Sequence, residues 1–189
     1  MFLVRHGQSE FNVHFSVTRQ DPLIRDPNLT EVGRQQVKAA AQSLRNYDLK
    51  QIVSSPYRRT LQTAEILSES LGLDCTIDAI VGEHALYHCD IGTETSRLKR
   101  DWPDWNFDHL GEQWWPDSGE AFETVQERSR KFYDGRKNDP NFEQLLVVTH
   151  WGFIRSLTQR EIGNCGVLKI KNSEPTAIRT IFEIDPCVY

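Results

Sequence analysis

The chain has 189 residues, 38% of them hydrophobic and 26% charged, enough for one soluble α/β-sized domain over residues 1–189 with a substantial core. A net charge of −5 argues against nonspecific nucleic-acid binding. No apolar run approaches the roughly 20 residues that would cross a bilayer, so no membrane partner is expected.

The first element is the apolar run Phe2-Leu3-Val4, which ends abruptly in Arg5-His6-Gly7. It reads as a short buried strand, and Gly7 lets the backbone turn sharply or approach a ligand. Arg5 offers a planar fork suited to phosphate or carboxylate. His6 can act as a nucleophile or a proton carrier near neutral pH. The chain enters this strand at once, so neither a signal nor a transit peptide is expected.

Residues 13–29 read as irregular, broken by Asp21-Pro22 and Asp26-Pro27. Thr30 then caps a helix reaching about Tyr47, with Val37, Ala40, Ala41 and Leu44 as its apolar stripe. Gln51 to Ser54 is a second strand, and Pro56 fits the first turn of a helix that stops at Gly72. Arg58 and Arg59 at that helix opening oppose the macrodipole and make sense if an anion sits there.

Cys75 to Ile80 reads as a third strand, and Glu83 just beyond it is well placed for a general acid. His84, His88, Cys89 and Asp90 include zinc-ligand types, but their spacing fits no compact zinc template, so no metal or other cofactor is expected. Residues 94–117 carry Trp102, Trp105, Trp114 and Trp115 and read as a small tryptophan-rich cap, its rings mostly core, one or two of them walling a pocket. A helix follows to about Gly135, with Phe122, Val125, Ser129 and Phe132 on one face.

Gln144 to Thr149 is a continuous apolar strand that ends in His150. Trp151 opens a helix to about Ile162, and Thr176 to Ile184 alternates as an edge strand. Cys75, Cys89, Cys165 and Cys187 are widely spaced, which fits reduced thiols and a cytoplasmic location. The alternation of strands and helices predicts a three-layer α/β sandwich: a mostly parallel central sheet with helices on both faces. Strand ends in such a sheet share one edge, so Arg5, His6, Arg58, Arg59 and His150 should converge there. Cations brought together call for an anion, and phosphate is the inferred ligand.

Three stretches resemble the histidine phosphatases, the phosphoglycerate-mutase-like superfamily. Arg5 to Asn12 is similar to its R-H-G-x-S-x-x-N signature. Ser54 to Ala64 is similar to its second arginine segment, and Val148-Thr149-His150 with Gly152 to its second histidine motif. Leu29 to Gly33 resembles a lesser marker. The resemblance implies a metal-independent phosphomonoesterase. His6 would be the nucleophile that becomes a phosphohistidine, and Glu83 the proton donor, with Asp90 the weaker candidate. Arg5, Arg59 and His150 would hold the phosphoryl oxygens, with Asn12 assisting. Trp151 replaces a frequent glycine and would shape the pocket. The implied substrate is a phosphorylated small molecule or phosphoprotein. The alternatives are a phosphoglycerate-mutase-type transferase and a non-catalytic phosphate- or phosphopeptide-binding module.

Overall fold

The computed structural model describes residues 1–117, 119–172 and 174–184. Its sheet has six strands: β1 (Phe2–Arg5), β2 (Gln51–Ser54), β3 (Cys75–Ile77), β4 (Leu145–Thr149), β5 (Val167–Ile170) and β6 (Ile178–Phe182). They lie in the order β3-β2-β4-β1-β5-β6. The first four in that order are parallel, while β5 and β6 are antiparallel to their neighbours. β4 is buried at all five positions, as a continuous apolar run between two strands requires. The expected α/β sandwich is therefore present.

The helices are α1 (Glu10–Thr18), α2 (Glu31–Leu44), α3 (Arg58–Leu71), α4 (Thr95–Asp101), α5 (Phe122–Arg136) and α6 (Trp151–Thr158). Val37, Ala40 and Leu44 of α2 and Ala64 and Leu67 of α3 share one core cluster with Phe2, Val4, Leu146 and Val148. Phe132 of α5 and Phe153, Ile154 and Leu157 of α6 share the other with Leu3, Val53 and Val147. Successive residues of β1 and β4 thus feed opposite faces, as the pleat dictates. The chain leaving β1 goes to the α2 face and the chain leaving β4 goes to the α6 face. Adjacent parallel strands whose helices depart to opposite faces open a crevice at their carboxyl ends.

Several local expectations change. Residues 10–18 form α1 rather than loop, because Ser9 and Asn12 make a reciprocal capping box. The sequence Glu10–Thr18 is rich in β-branched and aromatic residues, so propensity hid the helix. Pro56 lies before α3, whose N-cap is Tyr57. α2 ends at Leu44 and α6 at Thr158, earlier than their patterns suggest. β3 stops at Ile77 and passes into a 3₁₀ turn, Ala79–Val81. β5 was not anticipated: its four residues are too few for a pattern, and pairing with β1 defines it. Residues 178–182 do form an edge strand.

Within the tryptophan-rich segment, Trp102 and Phe107 are buried against Leu61, Ile77 and Leu98, with Trp105 and Trp114 packed beside them. Trp114 also donates through Nε1 to the Thr93 carbonyl. The rings of Trp114 and Trp115 close over Gly92 so tightly that no side chain fits there.

The turn after β1 depends on a close approach to α2. A Cβ on Gly7 would lie 2.7 Å from the Gly33 carbonyl oxygen, and a Cβ on Gly33 would overlap the Gln8 backbone. Thr30, the N-cap of α2, bonds the same stretch through its amide to the Gln8 carbonyl. This explains glycine at the third helical position, where a capping box would place Glu. Gly33→Ala should therefore cost about 1–3 kcal/mol by overpacking. Gly135→Ala, on an open face of α5, should instead stabilise by about 0.5–1 kcal/mol. Urea midpoints of the two variants check the pair.

Candidate active site

A cleft of about 540 Å³ opens at the carboxyl edge of the sheet, beside the crevice between β1 and β4. Arg5, His6, Asn12, Arg59, Glu83 and Trp151 all line it. Six of the seven residues expected at the site are thus in one wall. His150, the seventh, is fully buried and stands behind His6, with ring centroids 5.2 Å apart in an edge-on arrangement.

His6 follows β1 and is 3% exposed. Its Nδ1 lies 2.7 Å from the Gly7 carbonyl oxygen. A carbonyl only accepts, so Nδ1 carries the proton and Nε2 keeps its lone pair. Burial holds the imidazole pKa well below its usual value, and the Arg59 and Arg5 charges lower it further. The uncharged form of the ring, with its one proton on Nδ1, is therefore favoured. His150 is depressed in the same way, by burial and then by Arg59 and His6. Its Nε2 meets Ser55 Oγ at 2.9 Å, while its Nδ1 is buried with no partner among the described residues.

Arg5 donates through Nη1 to the Ile162 carbonyl, and its buried Nε has no partner among the described residues. Arg59 donates to the Cys89 carbonyl and pairs with Asp90 at 3.0 Å, both side chains being almost fully buried. The Tyr57 ring lies under its guanidinium at 4.4 Å. Arg58 does not join it. It turns outward to Asp101 and Asn28 and stacks on Trp102. The anion expected at the α3 opening is the chain's own: the buried Asp26 carboxylate accepts from the Arg58 amide at 3.0 Å.

Asn12 accepts through Oδ1 from the Ser9 amide, the Ser9 hydroxyl and Asn164 Nδ2. With Oδ1 so occupied, its Nδ2 is the free end at the cleft, a donor suited to an anion.

Glu83 follows the 3₁₀ turn and accepts through Oε1 from the amides of His84 and Gly152, at 2.9 and 2.7 Å. A Cβ on Gly152 would overlap that oxygen, so the glycine after Trp151 is what lets α6 approach the carboxylate. Burial raises the Glu83 pKa, and the Asp90 charge raises it further against Arg59 and Arg5. Asp90 is committed to other partners. It accepts from Arg59, from the Leu86 and Tyr87 amides and from Cys89 Sγ, and it is 3% exposed.

Sequence reasoning missed Arg128 on α5. Its guanidinium donates to the carbonyls of Ile80, Gly82 and Glu83 and pairs with Glu120 at 2.9 Å. It thereby ties down the loop that carries Glu83. Asn164, which also donates to the His6 carbonyl, was missed as well. Neither sits in a local pattern that could have revealed it. His84, His88, Cys89 and Asp90 do not converge, and no cluster of three metal-ligating side chains occurs among the described residues. None of Trp102, Trp105, Trp114 and Trp115 lines the cleft, contrary to expectation; the fifth tryptophan, Trp151, does.

The profile of the histidine phosphatase superfamily (branch 1) matches residues 1–181. The chain belongs to that superfamily. A glucosyl-3-phosphoglycerate phosphatase of Mycobacterium tuberculosis is 29% identical over 173 residues, 84% of this chain and 73% of its own length. A probable phosphoglycerate mutase, GpmB of Citrobacter koseri, is 36% identical over a shorter stretch, 44% of this chain and 37% of its own. Among solved structures, mycobacterial hydrolase 1 is 26% identical with a TM-score of 0.65, covering 97% of this chain and 96% of that one. The phosphatase of Mycobacterium tuberculosis is matched over most of the chain, the mutase over less than half of it.

The Arg59–Asp90 pair has a measurable consequence for stability. Asp90→Ala leaves a buried guanidinium without its counter-charge, which should cost about 3–5 kcal/mol. A denaturant titration of the variant checks this.

Proposed function

We propose that this cleft hydrolyses phosphomonoesters through a phosphohistidine on His6. One observation carries the proposal: the imidazole is held neutral, with Nδ1 committed to the Gly7 carbonyl, in a wall that also holds two guanidinium groups and Glu83. Arg5 and Arg59 neutralise the phosphoryl oxygens, and the Asn12 amide donates to them. The unpartnered Nε of Arg5 is a further donor.

In the first step the Nε2 lone pair attacks phosphorus and the bond to the ester oxygen breaks. Glu83 gives its proton to the departing alkoxide and becomes a carboxylate. In the second step that carboxylate takes a proton from water, the hydroxyl attacks phosphorus, and the P–N bond breaks. His6 and protonated Glu83 are regenerated and phosphate leaves. Splitting the reaction in this way is nucleophilic catalysis with one carboxyl serving as acid and then base. None of these roles calls for a metal ion, and dialysis against a strong chelator should leave turnover unchanged.

The phosphatase of Mycobacterium tuberculosis supports a small phosphorylated molecule as the substrate. A mutase would need further cations to grip a substrate carboxylate while excluding water. Beyond Arg5 and Arg59, Arg19 is the one arginine or lysine in the cleft wall among the described residues, and Glu161 accompanies it.

His6→Ala should abolish turnover and acid-labile phosphoenzyme while circular dichroism stays native; full activity in the folded variant would defeat the mechanism. Glu83→Gln should slow alkyl esters by about 10²–10⁴-fold and aryl esters far less. The Glu83 pKa is raised, so its proton is present at low pH and lost as pH rises through that raised value. Activity on alkyl esters should therefore fall on the alkaline side, and Glu83→Gln should lack that limb in a pH–rate profile. Arg128→Ala should mimic the loss at Glu83 in weaker form, about 10- to 100-fold, with the same bias toward poor leaving groups.

A further inference from the structure

In the phosphatase reading, the phosphoryl group takes the part of the cleft lined by Arg5, His6 and Arg59. The outer half is built differently, as a wall of aromatic rings. Phe11 and Phe15 lie one turn apart on α1 and stack with centroids 5.0 Å apart at 18°. Tyr87, from the loop beyond Glu83, closes on both, at 5.5 Å from Phe11 and 5.1 Å from Phe15. Leu86 continues the surface, and all four side chains line the same cleft as His6 and Glu83. Phe11 is 8% exposed and anchors the group, whereas Tyr87 is 38% and Leu86 51% exposed.

Among the described residues, five large hydrophobic side chains are exposed, and two of them, Leu86 and Tyr87, line this cleft. Apolar side chains exposed in a concave wall are suited to binding an apolar group. Arg19 lies over the Phe15 ring at 5.9 Å, and Glu161, elsewhere in the cleft lining, pairs with Arg155 at 3.6 Å. A flat apolar ring entering beside Phe15 and Tyr87 would meet other rings.

We propose, resting on the phosphatase reading above, that this outer half selects phosphomonoesters whose alcohol carries an aryl group. The phosphoryl group enters between Arg5 and Arg59 and attaches to His6. The aryl group lies against Phe15 and Tyr87, where ring–ring contact and the removal of apolar surface from water both favour it. Substrate class is then set by α1 and the 86–87 loop, and chemistry by the strand ends.

Steady-state kinetics on 2-phenylethyl phosphate, hexyl phosphate, ethyl phosphate, glucose 6-phosphate and 3-phosphoglycerate test this. All present alkyl leaving groups, so a preference reports binding of the alcohol part rather than ease of bond breaking. The wild-type protein should favour 2-phenylethyl phosphate over each of the others by about tenfold or more in kcat/KM, the size expected from one buried ring contact. Phe15→Ala and Tyr87→Ser should each erase most of that preference, with a far smaller effect on ethyl phosphate. Tyr87 is exposed, so its substitution leaves the core intact. Equal rates across the series, or a preference for hexyl phosphate, the sugar phosphate or 3-phosphoglycerate, would overturn the inference while leaving the phosphatase reading standing. Release of no phosphate from any ester, including p-nitrophenyl phosphate, would overturn both.

Discussion

Two guanidinium groups held beside a neutral imidazole at the edge of an apolar sheet set the terms for the rest of this structure. Arg5 emerges from β1 and Arg59 from the opening of α3, so the fold itself forces two positive charges together. Charges out of water are tolerated only when paired and hydrogen-bonded. The chain meets that requirement in full for Arg59 and only in part for Arg5, whose buried Nε has no partner among the described residues. Asp90 and the Cys89 carbonyl hold Arg59, and the Ile162 carbonyl holds Arg5. Burial first, and then the same field, favours the uncharged His6 imidazole, which leaves one ring nitrogen with a lone pair. One constraint thus explains both the buried ion pair and the poise of the reactive ring.

The two carboxylates facing this field have separated their roles through their surroundings. Asp90 collects four donors and serves Arg59. Glu83 accepts only two backbone amides, and burial together with the neighbouring Asp90 charge favours its protonated form. A carboxyl group whose surroundings favour its protonated form is suited to donating a proton. The position of Glu83 is fixed from both sides, by Arg128 gripping the loop carbonyls and by the tight approach of Gly152. Rigid support of this kind matters because small displacements of an acid or nucleophile carry large rate penalties.

Residues 5–19 do two jobs. Their first part supplies Arg5, His6 and Asn12 to the phosphoryl end, and α1 supplies Phe11 and Phe15 to the outer wall. Asn12 belongs to both, since it caps α1 while presenting its amide to the cleft. The two parts of the cleft wall are therefore joined through one short helix with a capping box at its start.

Taken alone, the sequence determined the elements with strong local signals. The β4 run, the α2 stripe with its Thr30 cap and the Gly72 stop are all legible over a dozen residues or fewer. The strand-end residues Arg5 and His6 were legible because a polar residue ending an apolar run has few structural explanations. Arg59, at the opening of α3, was singled out from Arg58 by the family resemblance of its segment. Tertiary structure decided what depends on partners far along the chain. α1 forms against poor intrinsic propensity, and β5 exists because β1 pairs with it. Arg58 and Arg59 are adjacent in sequence, yet helix geometry points one to Asp101 and the other into the cleft. Arg128, Asn164 and Tyr87 reach the site from positions remote from the motifs they serve. Local patterns reflect the 3.6- and 2-residue periods of the backbone, but which side chains meet across the sheet edge is set by strand order and packing.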